Sequence, residues 1–199
     1  MVGISRMSQT AGEVNRLLRD ESPSGLRNLN ERKLQAMGVD RSLTERFLNH
    51  TQLSPRHKTV IVASLEKLSG ARGREAFINF ALQANDEDAA NFMQNMAEIL
   101  AAYQQTVSPI QEITAPGIIL ARAANGTVLI PFPLDYGVWT VRAERVVKNT
   151  LAGYKSSSRS PTRFELWGTG AVSPLARKQL EAQGIKVVEH VDRRIGMMD

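Results

Sequence analysis

From residue 54 onward the apolar positions recur at helical spacing. Ser54-Pro55 reads as an N-cap followed by a first-turn proline, and Ile61, Leu65 and Leu68 then share one helical face before Gly70. Phe77, Ala81 and Ala84 repeat the spacing in a second helix. Asn85 is placed to cap a third, in which Asp86, Glu87 and Asp88 complement the positive end of the helix dipole. Its apolar stripe is Ala89, Phe92, Met93, Met96, Leu100 and Tyr103, with both methionines read as packing residues. At 1.5 Å per residue this helix of about 20 residues is roughly 30 Å long, the spine of the predicted fold.

Upstream, from Thr10 to Thr51, the pattern breaks into short helical pieces. Thr10 and Glu13 have capping-box spacing ahead of Val14, Leu17 and Leu18, and Ser22-Pro23-Ser24-Gly25 is read as the stop. A second piece runs from Asn30 to Met37 and ends at Gly38. Ser42 and Glu45 repeat the capping-box spacing before Phe47 and Leu48. Each piece buries few apolar groups, so this region is predicted to be the least stable unless it docks on the rest.

Downstream of Pro109 the period changes. Ile118–Ala123 and Thr127–Phe132 are β-rich segments separated by Asn125-Gly126, a two-residue hairpin signal. Pro131 and Pro133 cannot donate to a ladder, so the second strand is predicted to lie at an edge or to end there. Trp139, Ala143, Val147 and Leu151 return to helical spacing, and Ala152 to Pro161, rich in serine, reads as a mobile surface loop. Phe164–Trp167 is a short strand, Gly168-Thr169-Gly170 a turn, Pro174–Gln183 a helix stopped by Gly184, and Ile185–Val191 a further strand. Strands joined by such a helix are predicted to be parallel.

The predicted fold is therefore α+β: a helical N-terminal half packed on a small mixed C-terminal sheet containing a β-hairpin and a strand-helix-strand unit. Residues 1–53 form a peripheral appendage of short helices, 54–112 the helical core, and 113–199 the sheet region, one compact body with 54–112. No internal repeat is visible.

Composition narrows the chemistry. The 199 residues include no cysteine, which excludes disulfides, thiolate metal sites and a cysteine nucleophile. The formal net charge is +5, with 10 basic and 6 acidic side chains in residues 1–60, 3 and 6 in 61–110, and 12 and 8 in 111–199. Both ends are basic, which permits an acidic partner without requiring one. The first ten residues lack the apolar core of a secretory signal, and no run approaches the roughly 18 apolar residues of a membrane span. The default expectation is a cytoplasmic protein with no transmembrane segment, and export after removal of a signal peptide stays open.

The most pointed local feature is strand, Gly168-Thr169-Gly170-Ala171-Val172-Ser173, then helix. It approximates a dinucleotide fingerprint with Ser173 in the third glycine position, and Glu189, 21 residues after Gly168, stands where a ribose-binding carboxylate belongs. Amides at the helix start would accept a phosphate or carboxylate. The competing and preferred reading is geometric: Ser173-Pro174 is an N-cap and first helical residue, and the glycines make a tight turn. No second nucleotide-binding half follows, and no Gly-Lys-Ser/Thr marks a P-loop.

Other constellations are weaker. His50, His57 and His190 have no metal-ligand spacing, so no metal and no cofactor is predicted. The serines near Lys155 lack a nucleophile elbow. Asp135-Tyr136 follows a strand, where catalytic groups often sit, and reads equally as capping and packing before a helix. Arg27, Arg32, Lys33, Arg41 and Arg46 gather near a helix-turn-helix-like stretch, with Arg41 and Arg46 the candidate nucleic-acid contacts, yet they alternate with Glu31, Asp40 and Glu45 as solvated helix faces do. The preferred function is a non-catalytic protein-interaction or structural module, either with a protein partner or as a homo-oligomer. The alternatives are a nucleotide-binding or small-molecule-binding protein or enzyme using Gly168–Ser173, and nucleic-acid association through the N-terminal helices.

Overall fold

The structure, a computed structural model, describes residue 12 and residues 14–157 and 163–193, with 155–157 described in backbone only. Thr10 and Glu13 lie outside the described residues. Helix α1 (14–20) sets Val14 against Val60 and Ala63. Helix α2 (Pro23–Ala36) starts seven residues earlier than predicted, because Ser22 accepts a hydrogen bond from Gly25 N and Pro23 occupies the first turn. Ser22-Pro23-Ser24-Gly25 thus begins a helix as well as ending one. In α3 (Arg41–Leu48) the cap is Asp40 rather than Ser42, its carboxylate accepting from Ser42 N at 2.8 Å and Leu43 N at 3.1 Å.

Helix α4 (Pro55–Glu66) carries a reciprocal capping box: His57 N donates to Ser54 Oγ, and Ser54 N donates to His57 Nδ1. Helix α5 (Arg74–Ala81) leads to α6 (Glu87–Thr106), 20 residues long, which Asp86 caps in place of Asn85 by accepting from Ala89 N at 2.7 Å. The N-terminal pieces do dock. Leu34, Leu43, Phe47 and Leu53 join Ile61, Phe77, Leu100 and Tyr103 in one buried cluster, which supplies the packing that short helices need.

Strand β1 (Ile110–Thr114), which the apolar pattern does not predict, pairs antiparallel with β2 (Leu120–Ala123), which pairs antiparallel with β3 (Thr127–Pro131). The hairpin turn has three residues, 124–126, rather than two. Gly126 takes φ +80° there, and Thr127 N donates to Asn125 Oδ1. Beyond β3 come β4 (Tyr136–Gly137), α7 (Val141–Ser157), β5 (Arg163–Trp167), β6 (Ala171–Val172), α8 (Pro174–Ala182) and β7 (Ile185–Val188). The main sheet has the order β1-β2-β3-β5-β7, with β3, β5 and β7 parallel, while β4 and β6 form a separate two-residue parallel ribbon.

Of the two placements expected for the proline-bearing strand, the second holds: β3 is central in the sheet, and Pro131 is tolerated because the strand ends on it. One expectation changes. The predicted loop over Ala152–Pro161 is helical as far as Ser157, where α7 continues because Leu151 and Tyr154 bury against the sheet; 158–162 lie outside the described residues. The protein is α+β, a helical N-terminal half against a mixed five-stranded sheet.

The two-residue period of the strands divides the sheet into two faces. Ala121, Ala123, Leu129 and Trp167 face the helical half, where the Trp167 ring meets Tyr103 edge-on at 4.9 Å. Leu120, Val128, Ile130, Phe164, Leu166 and Ile185 face α7 and α8.

Candidate functional site

The carboxyl ends of β3, β5 and β7 converge, the position where open α/β sheets commonly take ligands. Gly168, Thr169, Gly170, Ser173 and Glu189 are brought together there, each with a partner from the chain itself. Gly168 N donates to Val188 O. Thr169 Oγ1 accepts from Leu134 N at 3.0 Å and donates to Leu134 O at 3.1 Å. Gly170 packs so tightly that a Cβ on it would stand 1.9 Å from Asp135 O and 2.4 Å from Leu134 O. The space beside the glycine corner therefore holds the 134–135 backbone. Ser173 caps α8 by accepting from Ala176 N, and its own N–H donates to Gly137 O.

Glu189 ties the next strand to the same corner. Its Oε1 accepts from Val172 N at 2.7 Å, and its Oε2 pairs with Arg177. The amide hydrogen bond first, then Arg177 and His190, hold its carboxyl below the usual Glu range, with burial opposing. His190 beside it has φ +53°, an uncommon conformation for a side chain with a Cβ. Asp135 is exposed and caps nothing: its backbone carbonyl accepts from Ala171 N, while Thr140 Oγ1 caps α7 by accepting from Ala143 N.

The other predicted residues lie far along the chain. Arg41 and Arg46 are exposed on α3, about 140° apart around a helix of 3.6 residues per turn, so they do not share one face. Arg27 pairs with Glu45 at 3.3 Å. His57 completes the α4 cap and meets Asn91 Oδ1 through Nε2, and His50 Nε2 meets Leu82 O. Among the described residues no group of three or more His, Asp or Glu could hold a metal, and no helix is long and apolar enough to cross a membrane. A small cavity of about 190 Å³ lies between α2, α3 and α4. There Lys58 donates to Leu48 O at 2.8 Å and so closes the end of α3; burial, then Arg27, pushes its pKa down.

Periodicity does not reveal an open apolar cleft on the other side of the sheet. A cleft of about 440 Å³ lies between α7 and the sheet, reaching the carboxyl ends of β3 and β5. Ile130, Phe132 and Leu166 form its floor, Ala143, Val147 and Leu151 of α7 its roof, and Ala176 and Leu180 of α8 a side wall. Arg142 is the one charged residue of the lining among the described residues. Six large hydrophobic residues stand exposed among the described residues, and five of them (Tyr136, Val138, Val141, Val146 and Leu175) belong to the segments around this cleft. The sequence holds a trace of it: Val141 and Val146 are apolar positions outside the 143/147/151 stripe that one buried helix face requires.

The fold and cleft describe an α+β protein with an open apolar recess above a parallel strand pair. No protein-family model, curated protein or solved structure matches the chain.

Proposed function

We infer that the protein is a non-catalytic binding module and that its ligand enters the cleft beneath α7. The observation that carries this reading is the lining itself: about 440 Å³ bounded by apolar side chains of the sheet, α7 and α8, with one charged residue among those described. That size and character suit a small-molecule site, which is typically 300–1,000 Å³ and predominantly apolar. At the glycine corner the described hydrogen bonds serve the chain's own backbone, which supports a positioning role for that turn: it holds Gly137 and Val172 as part of the cleft wall.

Uncharged N-phenyl-1-naphthylamine is the test, since its fluorescence rises in apolar surroundings. Native protein should enhance it, and Ala143→Trp, which fills the roof of the cleft, should weaken binding about tenfold or more, the effect of losing roughly 1.4 kcal/mol. Enhancement that is absent from native protein, or unchanged in a folded Ala143→Trp variant, would contradict the reading.

A second reading rests on the exposed rim. Val141, 75% exposed, with Tyr136 and Val138, each 58% exposed, places large apolar side chains in water close together along the chain, and exposed apolar surface can mark a protein interface. On that reading a protein partner covers the mouth of the same cleft.

A further inference from the structure

We propose that the ligand is a single-chain anionic amphiphile, an acyl chain ending in a carboxylate, with the chain under α7 and the carboxylate at Arg142. This rests on the cleft being a ligand site and adds the polarity and chemistry of the occupant.

The distribution of charge decides the polarity. The floor and side wall, from Ile130, Phe132, Leu166, Ala176, Leu180 and Ile185, offer no ionised group, so a charge carried into the interior would be desolvated without a partner. The two threonines of the lining lie on or next to α7; Thr140 is occupied as the α7 cap, and Thr150 is buried. An occupant therefore has an apolar body, and any charged group it carries belongs at the rim.

The sign of that group follows from α7. Arg142 stands in the first turn of a 17-residue helix, where the backbone adds positive partial charge, and its side chain is both exposed to water and part of the lining. Glu144, the acidic residue of that turn, pairs with Lys148 along the helix. Arg142 and Arg145 have no carboxylate partner among the described residues. A guanidinium that keeps contact with water while its stem borders an apolar recess suits a carboxylate, which it can bind through two parallel hydrogen bonds.

Displacement of N-phenyl-1-naphthylamine from the full chain by three ligands of equal chain length separates the terms: dodecanoate, dodecanol and dodecyltrimethylammonium. Dodecanoate should compete about tenfold more strongly than dodecanol, the worth of one charge-assisted contact, and the cation most weakly. Arg142→Gln should abolish the preference for dodecanoate over dodecanol, each measured against the variant's own naphthylamine affinity, and Arg145→Gln should preserve it. Equal competition by dodecanoate and dodecanol, or a preference that survives Arg142→Gln, would overturn the proposal while leaving the cleft a binding site. Failure of the naphthylamine to bind at all would instead remove the binding reading beneath it. Sedimentation of the protein with phosphatidylglycerol vesicles without competition by free dodecanoate would assign the surface to a membrane and equally overturn the proposal.

Discussion

The two faces of the sheet are built from the same kinds of residue and are covered differently. Toward the helical half, Leu129 and Ala121 are fully buried beneath a cluster that runs through α4, α5 and α6, and the Tyr103 and Trp167 rings close the end. Toward α7, Ile130 and Leu166 also belong to a buried cluster, but part of their roof is open space. Leu129 and Ile130 are neighbours on one strand, so the difference arises from the covering helices. Helix α6 brings Met93, Met96, Leu100 and Tyr103 down in successive turns, whereas α7 brings Leu151 and Tyr154 down at one end and leaves Val141 and Val146 exposed toward the other.

That contrast is open to direct perturbation. Leu129→Ala removes methyl groups from a site packed on every side and should cost about 4 kcal/mol, within the usual range for buried leucine, whereas Ile130→Ala borders space that already lacks contacts and should cost about 2 kcal/mol. Urea unfolding of both variants measures the gap. Equal costs would show that α7 lies as closely on its face as α6 does on the other.

A smaller effect sharpens the comparison at the mouth of the cleft. Glu189 fixes Val172, one of the lining residues, and its carboxyl is held below the ordinary Glu value by the Val172 amide and Arg177. A lowered folded-state pKa contributes stability that is fully present above the unfolded-state value of about 4.3 and is lost as pH falls through the lower folded-state value. Solvent screens this partly exposed ion pair, so Glu189→Gln should lower the melting temperature at pH 7 by only about 2 °C or less. The difference between native and variant should shrink as pH falls through the lowered folded-state value. A gap that persists undiminished in acid would mean that size and shape at 189, rather than the ionised contact, hold the corner.

Much of the fold is legible from residue patterns because its signals are local. Ser54-Pro55, the 20-residue stripe of α6 and the parallel β5-α8-β7 unit each follow from residues a few positions apart. Caps are misplaced by one or two residues, at Asp40 and Asp86, because neighbouring polar side chains compete for the same orphan amides. Strand β1 is obscured because Gln111 and Glu112 interrupt its apolar positions; it is held by pairing with the neighbouring β2 and by a bridge from Arg72, which is distant in sequence.

The site is less legible than the fold for the same reason. Spacing puts Gly168, Ser173 and Glu189 near one corner, but it cannot show that the backbone of Leu134 and Asp135 occupies the adjoining space, 35 residues away from Thr169 in the case of Leu134. Nor can it show the cleft, whose lining is drawn from residues 117–185 and depends on how far α7 stands off the sheet. A stripe at 143, 147 and 151 predicts which side of the helix faces inward and says nothing of the depth at which it settles.

The most direct test is a methyl NMR titration of the Ile-, Leu- and Val-labelled protein with N-phenyl-1-naphthylamine. The account predicts shifts concentrated at Ile118, Ile130, Val147, Leu166 and Ile185, with Leu129, Ile113 and Leu100 on the closed face unmoved. Shifts spread evenly over both faces, or confined to the closed one, would contradict it.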